Sequence, residues 1–453
     1  MKHIDQITNV YFLGIGGIGM SALARYFHSR GVNVCGYDKN PSVITNALQQ
    51  EGISVSHEDD PAGISFQPEI VVYTPAIPAT TKLFQHFAKQ AIPLKKRAEV
   101  LGIISSALST IAVAGTHGKT TISAMLTHIL KQAAIPCTAF LGGISTNYNT
   151  NYIGEPESHW LVVEADEFDR SFLHLHPQMA LISSMDADHL DVYGSKEELF
   201  RSFSLFTQQV DASGVVILHK KIKKHPGFKG KSFTYGMEGT ADYYLQNIRV
   251  SNGLYEADIR GLIDLPCVRI GHPGKHNLEN ALAATALAHQ AGVDKEAIRR
   301  ALLTFTGVKR RFEIHLQTSK MVYVDDYAHH PEEIRACVLS AREIWPERRI
   351  TGVFQPHLYS RTRDLADQFA ESLSLLDELI LLDIYPAREK PIEGVTSQII
   401  LDKVKTKVTL CEREHLLSLL GKTPADVLIT MGAGDIDRFA EPIKQLLQNK
   451  VLS

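Results

Sequence analysis

Apolar runs of strand length alternate along the chain with longer stretches in which apolar residues return every three or four positions. The runs at 10–13, 32–37, 70–73, 110–114, 160–163 and 179–182 predict buried strands with helical segments between them. A second series, at 321–324, 350–354, 378–382 and 427–430, begins after Arg311 and alternates with helices in the same way. Strands separated by helices imply parallel sheets, so the expected fold class is α/β. Gly- and Pro-containing turns and the change of pattern place boundaries near 106–109 and 313–319, giving three domains, 1–107, 108–314 and 315–453. The longest uncharged stretch, 100–118, is interrupted by Ser105, Ser106, Ser109 and Thr110, and reads as a helix followed by a buried strand rather than a membrane span.

Composition narrows the function classes. A chain of 453 residues with 50 acidic and 47 basic side chains has a formal charge of -3 and no global field to draw in nucleic acid or an anionic membrane. Neither is expected as a partner. The basic run 219–231 holds six lysines and a single aromatic residue, and reads as a solvated loop. Cys35, Cys137, Cys267, Cys337 and Cys411 are scattered without a CxxC pair, which argues against a disulfide framework or a zinc knuckle and fits a reducing cytoplasm. The N-terminus carries Asp5 and soon enters glycines, so no signal peptide is expected.

Two candidate phosphate loops follow predicted strands. Gly14-Ile15-Gly16-Gly17-Ile18-Gly19 satisfies GxGxxG and leads into a helix, with Asp38 after the next strand at the usual place for a ribose contact. Backbone N–H groups freed by the glycines, and the positive end of the helix dipole, suit a diphosphate there. The second loop is Gly115-Thr116-His117-Gly118-Lys119-Thr120-Thr121. It has Val113 where the strict Walker pattern has glycine, yet keeps the backbone donors, a lysine for terminal phosphates and a hydroxyl for Mg²⁺. A dinucleotide-type loop beside an ATP loop suggests phosphoryl transfer onto a nucleotide-linked substrate.

Acids gather at predicted strand ends, where ligands of parallel sheets collect: Glu164-Ala165-Asp166-Glu167 and Asp186-Ala187-Asp188-His189. Glu164 is the first metal candidate. Lys275-His276-Asn277 and Asn280 could place amides beside a base or phosphate, or simply cap a helix, and Lys309-Arg310-Arg311 could reach ATP or form a solvated turn. In the last domain, Asp325-Asp326-Tyr327-Ala328-His329-His330 and Gln355-Pro356-His357-Leu358-Tyr359-Ser360-Arg361 end two strands of one sheet and suggest a substrate-facing surface.

These motifs resemble, in order and over nearly the whole chain, those of the Mur ligase family, the ATP-dependent amide ligases that build the peptide stem of the bacterial cell wall. The carriers are GTHGKTT from Gly115, EADE from Glu164, DADH from Asp186, His276 to Asn280, DDYAHHPEE from Asp325 and FQPH with SRTRD from Phe354. The resemblance implies a Rossmann-like N-terminal domain for a UDP-sugar, held by Gly14, Gly16, Gly17, Ile18, Gly19 and Asp38. It implies a central P-loop ATPase-like domain with a mostly parallel sheet, and a Rossmann-like C-terminal domain bringing an amino acid. Gly115, Thr116, His117, Gly118, Lys119, Thr120, Thr121, Asn277, Asn280, Arg311 and Asp326 would bind ATP. Thr120, Glu164 and His189 would hold Mg²⁺, with Mn²⁺ as a substitute. Tyr327, His329, His357 and Arg361 would surround the amino acid, and Lys119, His329, His357 and Arg361 are the catalytic candidates.

Within the family, GIGGIGMSA from Gly14 and the complete DDY.HHP motif look like those of members that add L-alanine to the lactyl carboxylate of UDP-N-acetylmuramate through an acyl phosphate. Such members often carry arginine directly after the histidine of FQPH, where this chain has Leu358. The implied partners are UDP-N-acetylmuramate, L-alanine and ATP, and the implied state is a cytoplasmic monomer or homodimer. A recycling ligase that attaches a preformed tripeptide to the same sugar nucleotide, an NAD(P)-dependent oxidoreductase and a nucleotide-sensing protein are the alternatives.

Overall fold

The computed structural model describes residues 4–186, 193–222, 228, 230–251, 253–387 and 389–452. Its strands form three sheets. In the first, β1 (Asn9–Leu13), β2 (Asn33–Tyr37), β3 (Ser54–Ser56), β4 (Ile70–Tyr73) and β5 (Leu94–Lys96) run parallel in the order β3-β2-β1-β4-β5. Alternate residues of β1 enter two different cores, Val10 and Phe12 on one face, Tyr11 and Leu13 on the other. Burial on both faces explains its uninterrupted apolar run. Strand order reverses at β1, which opens a crevice beyond its carboxyl end at Gly14.

The second sheet has ten strands. They are β6 (Ser109–Ala114), β7 (Cys137–Ser145), β8 (Thr150–Ile153), β9 (Trp160–Glu164), β10 (Pro177–Ile182), β11 (Val215–His219), β12 (Lys231–Gly236), β13 (Tyr243–Ser251), β14 (Leu254–Gly261) and β15 (Leu265–Ile270). The order is β15-β14-β13-β12-β11-β10-β6-β9-β7-β8, parallel from β13 to β7 and antiparallel between β7 and β8. β6 is therefore flanked by β9 and β10, and the three strand ends meet beside the loop that follows Ala114. The third sheet contains β16 (Glu313–Gln317), β17 (Val322–Asp326), β18 (Ile350–Phe354), β19 (Glu378–Leu381), β20 (Lys407–Leu410) and β21 (Val427–Met431) in the order β16-β17-β21-β18-β19-β20, parallel apart from β16. The expected α/β class with mostly parallel sheets is what forms.

By the density of its contacts the chain divides into two compact units, 1–248 with 257–269 and 279–306, and 307–453 with 249–256 and 270–278. Within the first unit one apolar core runs from β1 and the helix Ile18–His28 through the helix Arg97–Ala107 to β6, β9 and β10. Tyr26 of the helix Ile18–His28 lies 5.5 Å from Phe140 of β7, ring centre to ring centre. The buried amide of Asn151 on β8 donates to Ile18 O at 2.5 Å and Ser21 Oγ at 3.0 Å. Each large side chain fully buried there contributes about 1.5–3 kcal/mol. In the second unit the two faces of the β16–β21 sheet support separate cores, with Val322 and Val324 on one side and Tyr323 on the other.

Two helices start earlier than their apolar pattern implies. The helix after the second loop begins at Lys119 instead of near Thr121, and the alanine-rich helix begins at Lys275, so Asn277 and Asn280 lie in its first turns rather than ahead of it. Of the basic run expected as a loop, 223–227 and 229 lie outside the described residues. Among the described residues no helix is long and apolar enough to cross a membrane.

Candidate active site

The loop 115–118 turns from β6 into the helix Lys119–Gln132, and Gly118, its N-cap, adopts φ +81. A side chain there would be strained by the left-handed backbone, and its Cβ would fall 2.6 Å from Asn280 Oδ1. Lys119 Nζ donates to Glu167 Oε1 at 2.9 Å, to Glu167 Oε2 at 2.8 Å and to Gly115 O at 2.8 Å. Burial works against the ammonium, but the carboxylates of Glu167, Asp166 and Glu164 outweigh it and hold Lys119 above the ordinary lysine value. Burial pushes Glu167 upward as well, against the pull of Lys119. Two short contacts from one ammonium to both carboxylate oxygens are the geometry of an ion pair.

Thr120 Oγ1 donates to Glu164 Oε2 at 2.8 Å, because β9 runs beside β6 with Val113 opposite Glu164. Two serines after β10 brace the loop from its other side. Ser184 Oγ accepts from His117 N–H at 3.0 Å and pairs with Thr116 Oγ1 at 2.7 Å, while Ser183 Oγ donates to His117 O. His117 Nε2 lies 3.4 Å from Asp186 Oδ2. The buried Thr121 completes the first turn of the helix. His189, expected as a metal ligand, lies outside the described residues. Glu167, Ser183 and Ser184 were not singled out from the sequence. For Glu167 the signal was its place in the EADE motif, and for the serines only their position at a strand end.

At the first loop, Gly14 and Ile15 donate backbone N–H groups to Tyr37 O at 2.7 and 3.1 Å. Asp38 Oδ2 accepts from Gly16 N–H at 2.8 Å and Oδ1 from Asn40 N–H at 3.3 Å, so this carboxylate braces the turn. Gly17 is the N-cap of the helix Ile18–His28, with no side chain capping it, and Gly19 lies in its first turn.

In the second unit, the Tyr327 ring has the guanidinium carbons of Arg310 at 5.3 Å and Arg311 at 5.0 Å. Arg310 Nε donates to Asp325 Oδ2 at 3.0 Å. Asp326 accepts from Phe312 N–H at 2.8 Å and Ala328 N–H at 2.7 Å; burial pushes it up to about 6 despite Arg311. His329 Nδ1 lies 3.1 Å from both Tyr327 O and Glu333 Oε2. The rings of His329 and His357 are 6.1 Å apart, and His357 stacks on Tyr385 at 5.9 Å. Burial, with help from His329 and Arg361, lowers His357 to about 4, so its imidazole is neutral near pH 7. Its Nδ1 is buried without a hydrogen-bond partner among the described residues.

Leu358 carries φ +71 at the start of the helix Tyr359–Asp364, backbone strain beside His357 that a branched side chain seldom accepts. Arg361 projects from that helix, whose Ser360 N–H donates to Glu389 Oε2 at 3.0 Å. Asn277 Nδ2 donates to Pro273 O at 2.6 Å. The structure thus gathers the 115–121 loop with Glu164 and Asn280 in the first unit, and Tyr327, His329, His357 and Arg361 with Asp326 and Arg311 in the second.

Comparison with known proteins matches three consecutive family profiles. Residues 9–108 match the Mur ligase family catalytic domain, 113–288 the Mur ligase middle domain and 310–434 the Mur ligase glutamate ligase domain. UDP-N-acetylmuramate--L-alanine ligase of Parabacteroides distasonis is 48% identical over 99% of both chains. The protein of the same name from Flavobacterium psychrophilum is 47% identical over 99% of this chain and 100% of its own. Among solved structures, UDP-N-acetylmuramate-alanine ligase from Thermotoga maritima superposes with a TM-score of 0.84 at 27% identity, covering 98% of this chain and 99% of the other. A murein peptide ligase from Psychrobacter arcticus shares the fold, with a TM-score of 0.70 at 22% identity over 98% of this chain and 99% of the other.

Proposed function

Because the chain belongs to the Mur ligase family, we propose that it joins L-alanine to the lactyl carboxylate of UDP-N-acetylmuramate with hydrolysis of ATP to ADP and phosphate, a cytoplasmic step in making the cell-wall precursor. Full-length identity of 47–48% to enzymes bearing that name carries the reading. In it, 1–107 binds the sugar nucleotide, 108–314 binds ATP and 315–453 brings the amino acid. A carboxylate oxygen attacks the γ-phosphorus as the bond to ADP breaks. The amine of L-alanine then attacks the acyl carbon, phosphate leaves, and the nitrogen gives up a proton.

Lys119, held charged by its carboxylate neighbours, is suited to the terminal phosphates of ATP, and Asn280 stands against the same loop. Asn277, Arg311 and Asp326 are assigned to ATP on the family pattern. Thr120 Oγ1 and Glu164 Oε2 are 2.8 Å apart and supply the hard oxygen donors that Mg²⁺ or Mn²⁺ takes. A bound ion would neutralise charge on the phosphoryl oxygens. His329 and His357, with ring centres 6.1 Å apart, are the imidazoles placed to accept the amine proton. Arg361 and Tyr327 are left to orient the amino acid.

Phosphate release from ATP and Mg²⁺ in the presence of UDP-N-acetylmuramate tests the reading. Release with L-alanine, exceeding that with glycine or L-serine, is expected. Release only with L-alanyl-γ-D-glutamyl-meso-diaminopimelate would make the protein a recycling ligase, and none with any acceptor would refute ligation.

A further inference from the structure

Arg97 opens the helix Arg97–Ala107 directly after β5, and lies against Gly19 although the two are 78 positions apart in sequence. A Cβ built on Gly19 would fall 2.9 Å from Arg97 Nη1 and 3.0 Å from its Cδ, so the guanidinium rests on the bare face of that glycine. The third glycine of GxGxxG commonly permits close helix–strand packing; here its missing side chain makes room for an arginine.

The guanidinium is underused where it lies. Arg25, on the same helix as Gly19, fills its fork with Glu51 at 2.7 Å and Asn151 at 2.5 Å. Arg97 donates no hydrogen bond among the described residues, and its ion-pair partner there is Asp166 Oδ2 at 4.0 Å, with the arginine side chain 26% exposed. A pair at that distance contributes about 0–1 kcal/mol. The position is also electrostatically wrong for a lone cation. Gly19 lies in the first turn of the helix Ile18–His28, whose amino end is positive, and a guanidinium there is repelled unless an anion joins it. Arg97 further lines one small cavity with Glu164, Asp166 and Ser171.

We propose that Arg97 binds the diphosphate of the sugar nucleotide, its guanidinium laid against Gly19 and taking two phosphate oxygens in a bidentate pair. The assignment deepens, and rests on, the reading of 14–19 as the sugar-nucleotide loop. The diphosphate is favoured over the lactyl carboxylate because the contact is with Gly19. Planar, bidentate geometry then distinguishes arginine from lysine.

Calorimetric binding of UDP and of UDP-N-acetylmuramate, without ATP, tests it. Arg97→Gln is expected to weaken both ligands by a similar factor, about tenfold or more, with Arg97→Lys losing less. Lys96→Gln, which removes only the pair with Asp169 at 3.4 Å, is expected to leave both within about twofold. Unchanged UDP affinity in Arg97→Gln overturns the proposal, and so does loss confined to UDP-N-acetylmuramate, which would give the guanidinium to the carboxylate. Should Arg97→Gln fail to fold, unchanged UDP affinity in Arg97→Lys overturns it equally. Wild-type protein that binds UDP through Arg97 yet releases no phosphate with any acceptor would refute the ligase reading and leave this assignment standing.

Discussion

Lys119 and Glu167, forty-eight positions apart, form a buried ion pair in which one ammonium meets both carboxylate oxygens at 2.8 and 2.9 Å. The lysine expected to meet ATP is therefore already held and charged by an acid just beyond the end of the neighbouring strand. Phosphate oxygens arriving at this loop would compete with that acid for the same ammonium.

The two partners are unequal when one is removed. Burial already favours a neutral Glu167, so in Lys119→Met the acid escapes its cost by taking up a proton. In Glu167→Gln the lysine stays charged without its main partner, which costs about 3–5 kcal/mol. Urea unfolding at pH 7 should show Glu167→Gln to be the less stable variant; the reverse order would refute the ionic pairing. Lys119→Met should fold and nearly lose turnover.

Gly118→Ala forces a side chain into φ +81 with its Cβ 2.6 Å from Asn280 Oδ1. The left-handed backbone alone costs about 1–2 kcal/mol, and the loop must move to relieve the clash. ATP affinity is expected to fall about tenfold or more, measured by equilibrium titration, and unchanged affinity would remove the loop from the ATP site.

Thr120→Val and Glu164→Gln each remove one oxygen donor of the candidate metal pair. Either should raise the Mg²⁺ concentration for half-maximal turnover by about tenfold or more while leaving the far-ultraviolet circular dichroism unchanged. An unaltered Mg²⁺ requirement in both would place the ion elsewhere.

His128 is buried in the helix Lys119–Gln132, within 2.8 Å of Tyr148 Oη and 3.0 Å of Thr304 Oγ1. Burial lowers it from 6.5 to about 4. Between those values the unfolded chain binds a proton that the folded protein refuses, so stability is complete above about 6.5 and is lost as the pH falls, by up to about 3 kcal/mol. His128→Asn should be less stable at pH 7 but show a flatter loss of stability from pH 6.5 to 4 in urea unfolding. An unchanged slope would mean that His128 does not titrate in this range.

The α/β class, the glycine-rich turns after β1 and β6 and the acids of EADE were legible in the chain because each depends on contiguous residues. A buried parallel strand demands an apolar run, and a phosphate turn demands glycine, lysine and hydroxyl at fixed spacing. Only the tertiary structure decided which distant groups meet them. The order β10-β6-β9 brings Ser183 and Ser184 to one side of the 115–118 loop and Glu164 to the other. The chain's course past β9 then brings Glu167 onto Lys119, and the packing of the helix Arg97–Ala107 lays Arg97 on Gly19. Thr304 reaches His128 across 176 positions. Such pairings follow from strand order and helix docking, set by the whole buried surface, and leave no periodicity in the local sequence from which to read them.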